Sequence, residues 1–137
     1  MIEHFSSGYY RTQMVGMKLE SGPAIDRGLY DFIDTNIYVG TNVPILMRVG
    51  LDDGAMFEPI PEGAMPPDVL GLPQDMCEEI GVDPYGEKID VFIMKPDHAH
   101  LFHESRNIGR NSESYYQLFD TNFTKGDEDF FNIGGML

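Results

Sequence analysis

Four residues near position 100 form the densest set of potential metal ligands in the sequence: His98, His100, His103 and Glu104. Zinc and nickel bind neutral imidazole nitrogens together with carboxylates. A strand would place His98 and His100 on one face, whereas a helix would group His100 with His103 and Glu104. No single conformation presents all four ligands, so we expect partly exposed histidines without a metal or cofactor. A metal site at these residues is the alternative.

The remaining reactive residue types do not indicate catalysis. Cys77 is the only cysteine, and the neighbouring Glu78 and Glu79 disfavour its thiolate. Its spacing from Ile80 predicts packing inside the fold instead. The sequence contains no phosphate-binding loop, no nucleophile elbow and no Ser/His/Asp arrangement with supporting context. We therefore expect a protein that is not an enzyme.

Negative charge is the strongest compositional feature. The 23 acidic and 9 basic side chains give a net charge of -14. Residues 49–104 carry thirteen acids and two bases, a net charge of -11. Such a surface repels phosphate groups, which argues against nucleic-acid and anionic-membrane partners. A basic protein partner or a high-salt environment would explain it, and the scarcity of lysine favours the second.

Patterns in the first half of the chain predict a strand, a helix and a hairpin. Residues 9–19 are rich in β-forming side chains and predict a strand. A helix beginning near Pro23, capped by Ser21 or Gly22, would place Ile25, Leu29, Phe32 and Ile33 on one face. Residues 43–49 and 55–60 predict two strands joined by a turn at residues 50–54.

The second half predicts a proline-rich connection, a helix and a strand. Five prolines within residues 59–73 predict a sheet edge or a crossing loop rather than a central strand. Residues 73–80 predict a helix that ends at Gly81. Residues 89–94 predict a strand that ends before Pro96. From these periods we expect a buried core that includes Phe32, Ile33, Leu46, Val91 and Ile93.

These elements predict an α+β fold: a small, mostly antiparallel sheet or barrel-like domain with four to six strands and two short helices. We place this domain at residues 1–104. Residues 105–137 would form a linker and an extended C-terminal arm. The N-terminus lacks a signal peptide pattern, and no apolar run is long enough to span a bilayer.

The predicted arm is unusually aromatic for a chain end. Disordered tails are usually poor in aromatic residues, so we expect the arm to dock on a protein surface. Grooves on other subunits are the first expectation, and a final strand on the arm's own domain is the alternative. The docking residues would be Tyr115, Tyr116, Phe119, Phe123, Phe130 and Phe131.

Several motifs resemble a family of small, uncharacterised haloarchaeal proteins. They are the opening FSSGYY at residues 5–10, PILMRV at 44–49, PPDVLGLP at 66–73, GV at 81–82 and KPDHA at 95–99. Together they cover about residues 1–101, and none of them is catalytic. The resemblance implies a halophilic origin and carries no function with it.

A second, local resemblance covers residues 70–93. The order of strand, proline, helix, glycine and strand is similar to half of a swapped-hairpin domain of the AbrB type. Such domains are obligate dimers that often bind DNA through basic residues around this helix. Here those positions hold Gln74, Asp75, Glu78 and Glu79. The resemblance therefore implies a dimer rather than a DNA-binding role.

We accordingly expect a non-catalytic structural or assembly protein, either a homo-oligomer or part of a larger assembly. A virion component of a halophilic tailed virus fits best, such as a head decoration or head–tail joining protein. The protein would then be found in the virion or in the host cytoplasm. The alternative is a dimeric regulatory or adaptor module of the swapped-hairpin type in a haloarchaeon, with a metal-binding or enzymatic role third.

Overall fold

The computed structural model describes residues 2–20, 22–50, 54–81, 86–106 and 116–119, and side chains are described as far as Phe102. The described strands form one curled, mixed sheet that resembles half of a barrel. In chain order the elements are β1 Glu3–His4, β2 Tyr9–Leu19, β3 Ala24–Asp26, α1 Arg27–Asn36, β4 Met47–Val49, β5 Gly54–Phe57, β6 Ile60–Glu62, β7 Val69–Pro73, α2 Gln74–Ile80, β8 Lys88–Met94, α3 Pro96–Arg106 and β9 Tyr116–Phe119.

The sheet has the order β6-β3-β7-β2-β8-β4-β5-β9, with β1 paired to β2. Six of the eight pairings between described strands are antiparallel, whereas β2–β7 and β3–β6 are parallel. The described part contains nine strands and three helices, more than the sequence predicted. Several of the extra strands have only two to four residues, too few to show a period of two.

The long strand β2 is central to the sheet because two parts of its length pair with two different strands. Its first part, from Tyr9 to Val15, lies antiparallel to β8. Its second part, from Val15 to Leu19, lies parallel to β7. The predicted strands at residues 9–19 and 89–94 are therefore confirmed, and they are neighbours in the sheet.

Helix α1 begins later than the sequence predicted. Asp26 caps it by accepting a hydrogen bond from the backbone N–H of Leu29 at 3.1 Å, and residues 24–26 form β3 instead of the first helical turn. Because Ile25 is buried in that strand, the inward helix face needs only Leu29 and Ile33. Phe32 lies about 100° away from Ile33 around the helix. Its side chain is 50% exposed, so the prediction that it is buried was wrong.

The proline-rich residues 59–73 contain two strands in different positions, since β6 lies at the edge of the sheet and β7 lies inside it. Strand β6 pairs only with β3 among the described strands and ends the sheet, as predicted. Strand β7 lies between β3 and β2, so the prediction that residues 59–73 contain no central strand was wrong. In β7 the proline is the last residue, Pro73, where it also precedes helix α2.

Helix α2 follows the prediction closely. It spans Gln74–Ile80, buries Met76 and Cys77, and ends at Gly81 with φ at 71°. This left-handed conformation favours glycine because glycine has no Cβ atom.

The other predicted core residues Ile33, Leu46, Val91 and Ile93 are buried as expected. No helix in the described ranges is both long and apolar enough to cross a membrane.

Candidate functional site

The histidine region forms helix α3, which begins directly after β8. Pro96 suits the first helical turn, and Asp97 lies near the positive end of the helix dipole. His98 is buried and His100 is exposed, so these two candidate ligands lie on different sides. The side chains of His103 and Glu104 lie outside the described part. Within that part, no group of three potential metal ligands comes together.

His98 belongs to a buried polar network, contrary to the expectation that it would be partly exposed. Its Nε2 atom lies 3.1 Å from the hydroxyl of Tyr9. The same hydroxyl accepts a hydrogen bond from Nη1 of Arg48 at 3.3 Å. The network therefore joins α3 to the central strand β2 and to β4. Sequence reasoning missed this network because its three members are far apart in the chain.

Arg48 is the most unusual member, since charged side chains are seldom fully buried. Its Nε donates a hydrogen bond to the carbonyl oxygen of Gly50 at 2.9 Å. Its guanidinium carbon lies 5.6 Å from the centre of the Tyr9 ring, within cation–π range. The charged Arg48 inside the otherwise apolar run at residues 45–49 is a sequence signal that could have revealed this network.

The network lowers the pKa of His98 to about 4, mainly through burial and secondly through the positive charge of Arg48. Burial also raises the pKa of Tyr9. At neutral pH the imidazole is uncharged, so Arg48 faces a neutral ring and a neutral phenol. Edge-to-face contacts with Tyr9 and Phe102, both with ring centres 4.9 Å away, hold that ring in place.

A second buried tyrosine connects the loop after α1 to the sheet. The hydroxyl of Tyr38 donates a hydrogen bond to the carbonyl oxygen of Met94 at 2.5 Å and accepts one from the backbone N–H of Leu46 at 3.2 Å.

The network of Tyr9, Arg48 and His98 is closed to solvent. Tyr9 and Arg48 are both 0% exposed and His98 is 4% exposed. A substrate cannot touch these groups in this conformation, which favours a structural role for the network.

Cys77 is buried in α2, as the sequence predicted. Its sulfur lies 3.9 Å from the carbonyl oxygen of Leu72 in the preceding strand. Asp75, Glu78 and Glu79 are exposed on the same helix. The positions where swapped-hairpin domains carry basic residues therefore present carboxylates to solvent. The local order of strand, helix and strand is present, but β2 separates β7 from β8 in the sheet.

The surface also has a groove of about 360 Å³ beside α1, with both apolar and polar residues in its lining. Met14, Leu29 and the exposed Phe32 line it together with the polar residues Thr12, Gln13 and Asp68. The Phe32 ring therefore lies at this groove instead of in the core.

The C-terminal arm contributes a strand to the sheet of its own chain. β9 lies antiparallel to β5, with Tyr116 opposite Phe57 and Phe119 opposite Gly54. Of the six predicted docking residues, Tyr116 and Phe119 therefore lie in a strand on the same domain, which is the alternative considered for the arm. Tyr115, Phe123, Phe130 and Phe131 lie outside the described residues, and docking of the six on another subunit stays a prediction.

Strand β5 is the surface that receives β9. All four of its residues, from Gly54 to Phe57, are buried, and none is charged. At Gly54 a Cβ atom would collide with the carbonyl oxygen of Val49 in β4. The hairpin between β4 and β5 is thus closed so tightly that only glycine fits there.

Comparison with known proteins identifies a family. The model of a family of unknown function, DUF5802, matches residues 1–108, and the chain belongs to that family. No curated protein and no solved structure matches the chain. The matched region contains strands β1 to β8 and all three helices, whereas β9 lies after its end.

Proposed function

We propose that this member of the DUF5802 family is a non-catalytic assembly protein that binds other protein subunits through the β5 edge of its sheet and its C-terminal arm. One observation carries the proposal: β9 lies beyond the matched region, yet it completes the edge of the family domain. A short strand added to an existing sheet is a common way to join polypeptides, because backbone hydrogen bonds supply affinity without a specialised pocket.

The chemistry of the interior supports a role without catalysis. The buried polar side chains of Tyr9, Arg48 and His98 are closed to solvent and hold three elements together. The function therefore rests on surfaces that bind other proteins.

The more specific form of the proposal is a virion component of a halophilic tailed virus, a head decoration or head–tail joining protein. The net charge of -14 supports a high-salt setting, because carboxylates keep a surface hydrated while salt screens their repulsion. Purified particles test this form. Peptides of the chain in stoichiometric amounts in particles support it, and their absence from particles of a virus that encodes the chain overturns it.

The native mass of the full chain in molar KCl tests assembly itself. The expected result is a multiple of 15.5 kDa, or a complex with a co-purifying protein. Leu118→Pro should reduce that mass, because proline cannot donate a ladder hydrogen bond and resists the strand conformation of β9. Leu118→Val, which keeps a β-forming side chain, serves as the matched control. A single-copy mass for the unmodified chain at every concentration, with nothing bound, contradicts the proposal.

Salt dependence tests the halophilic setting separately. Thermal melts from molar KCl down to ~0.05 M, where the Debye length exceeds ~10 Å, should show a clear fall in the midpoint. The reason is that the thirteen carboxylates and two amines of residues 49–104 leave a large net charge that repels itself once screening is removed. A midpoint that does not change with salt contradicts the halophilic setting and leaves the assembly role open to its own test.

A further inference from the structure

The two strands of the outermost pairing differ in their relation to the family match. Strand β5 lies inside the matched region, and β9 lies after its end at residue 108. Residues 107–115 connect β9 to the end of α3, and a connector of this length reaches at most ~35 Å. Among the described strands, β9 pairs with β5 alone. A tethered strand with a single pairing partner is the kind of element that can be exchanged between identical chains.

The β5 edge itself must stay covered. Sheet edges in soluble proteins are usually protected by charged residues, proline or bulges, because bare backbone groups pair with other chains. Strand β5 has the sequence GAMF and carries none of these protections. When β9 leaves, the edge offers unpaired N–H and C=O groups beside an apolar strand, so another strand is strongly favoured to replace it.

A second copy of the chain is the occupant that the observations favour. A foreign strand would have to compete with a tethered β9 whose effective concentration is in the millimolar range. Exchange with a second copy leaves neither edge unpaired, since both edges are refilled when two chains exchange their β9 strands. The incoming strand also has the same sequence and makes the same four residue pairings as the one it replaces.

We infer that the β5 edge is a strand-exchange site at which β9 of a second copy of this chain replaces the chain's own β9, and that this exchange links neighbouring subunits. The inference rests on the proposed assembly function and specifies its partner. Reciprocal exchange between two chains closes a two-fold dimer. Exchange in one direction around a ring would link more subunits with the same pairing.

Cysteine pairing between differently labelled chains tests the exchange. Ala55 and Leu118 are directly opposite in the register of β5 and β9. One protein carries Ala55→Cys and another, labelled with ¹⁵N, carries Leu118→Cys, both with Cys77→Ala. The two are mixed in molar KCl, oxidised and separated without reductant, and mass spectrometry identifies the disulfide-linked pairs. A protein with both cysteines, oxidised at low concentration, checks the register within one chain.

The expected result is that disulfides between the Ala55→Cys variant and the Leu118→Cys variant exceed those in a control mixture at least tenfold. The control replaces Ala55→Cys by Thr35→Cys, an exposed position on α1. Circular dichroism before mixing confirms that each variant is folded. This result supports exchange, because the two introduced cysteines are on different chains.

Two results overturn the inference and are distinguishable. In the first, the double variant links within one chain, mixed disulfides stay at the control level, and the unmodified chain still has a multimeric native mass. Assembly then stands, and β9 stays on its own domain. In the second, mixed disulfides are absent and the unmodified chain has a single-copy mass at every concentration. The exchange and the proposed assembly function then both fail.

Discussion

The two ends of the described sheet are protected in opposite ways. At one end, β6 has three residues, Ile60–Glu62, and includes a proline and a carboxylate. At the other end, β5 has four buried residues without charge or proline, and β9 covers it. The first edge protects itself through its own sequence, whereas the second depends on a segment that comes from the far end of the chain.

Under the proposed function, the β5 end of the sheet is the one that binds other subunits. Self-protected edges discourage pairing with other chains, whereas an apolar edge without such protection can accept another strand. The β5 end also lies beside β4, whose Arg48 joins the buried network with Tyr9 and His98. This network ties the sheet next to β5 to helix α3.

Truncating one side chain in β5 and one in β6 should give the largest difference in stability between the two ends of the sheet. Met56→Ala in β5 removes a fully buried side chain and should lower the free energy of unfolding by ~2–5 kcal/mol. Ile60→Ala in β6 removes a partly buried one and should cost less than about 1.5 kcal/mol. Guanidinium unfolding of both variants measures the difference. Equal losses would show that β5 is no more a part of the core than β6.

Acid should weaken the network beside the β5 end. Burial and Arg48 lower the pKa of His98 to about 4 in the folded chain, whereas in the unfolded chain it lies near its usual 6.5. The unfolded state therefore binds a proton first. The stabilisation is complete above pH 6.5 and is lost as the pH falls towards 4. The loss is on the order of 3 kcal/mol at most.

The histidine itself can be separated from the many carboxylates that also titrate in acid. Unfolding free energies at several pH values between 7 and 4 should fall less steeply for His98→Gln than for the unmodified chain. His100→Gln, an exposed change on the same helix, should keep the original slope. Identical slopes for all three proteins would mean that the buried imidazole does not contribute to acid sensitivity.

Two glycines provide a matched pair for the two edges. Gly54→Ala places a Cβ atom against the carbonyl oxygen of Val49 and should cost about 2 kcal/mol, because backbone must shift to make room. Gly63→Ala, just after β6, meets no atom within 4 Å and should change stability by less than ~0.5 kcal/mol. Thermal melts of the two variants measure this difference in stability. A neutral Gly54→Ala would contradict the tight β4–β5 hairpin.

Removing the protection of the β6 edge should affect association more than stability. Pro61→Val restores a backbone N–H and a β-forming side chain there, so stability should change by less than about 0.5 kcal/mol while light scattering rises with concentration. Pro66→Val, in the exposed segment before β7, is the control and should scatter like the unmodified chain. If both variants remain equally soluble, Pro61 is not what protects this edge.

Elements with a long, regular pattern were predictable from the sequence. The strands at residues 9–19 and 89–94 and the helix ending at Gly81 were found where their patterns placed them. The buried side chains of Leu46 and Ile93 were predicted in the same way. Local periodicity determines these features, because the side chains that decide them are close together in the chain.

Short and shared elements were less predictable. Residues 24–26 were assigned to a helix because Ile25 continues the helical spacing, yet they pair with β6 and β7. Because Ile25 lies in β3 and not in the helix, the inward face of α1 no longer includes Phe32, whose side chain is exposed. Tertiary pairing outweighs a local pattern when a segment of three residues can bury its side chain in a sheet.

The sequence by itself determined the acidic character, the α+β class and the residues that can form a core. Only the tertiary structure decided that Tyr9, Arg48 and His98 meet, and that the segment from Tyr116 to Phe119 lies on β5. Each of these contacts joins residues at least 39 positions apart. Such contacts depend on the order of strands in the sheet, and the strand order is set by packing of the whole domain rather than by neighbours in the chain.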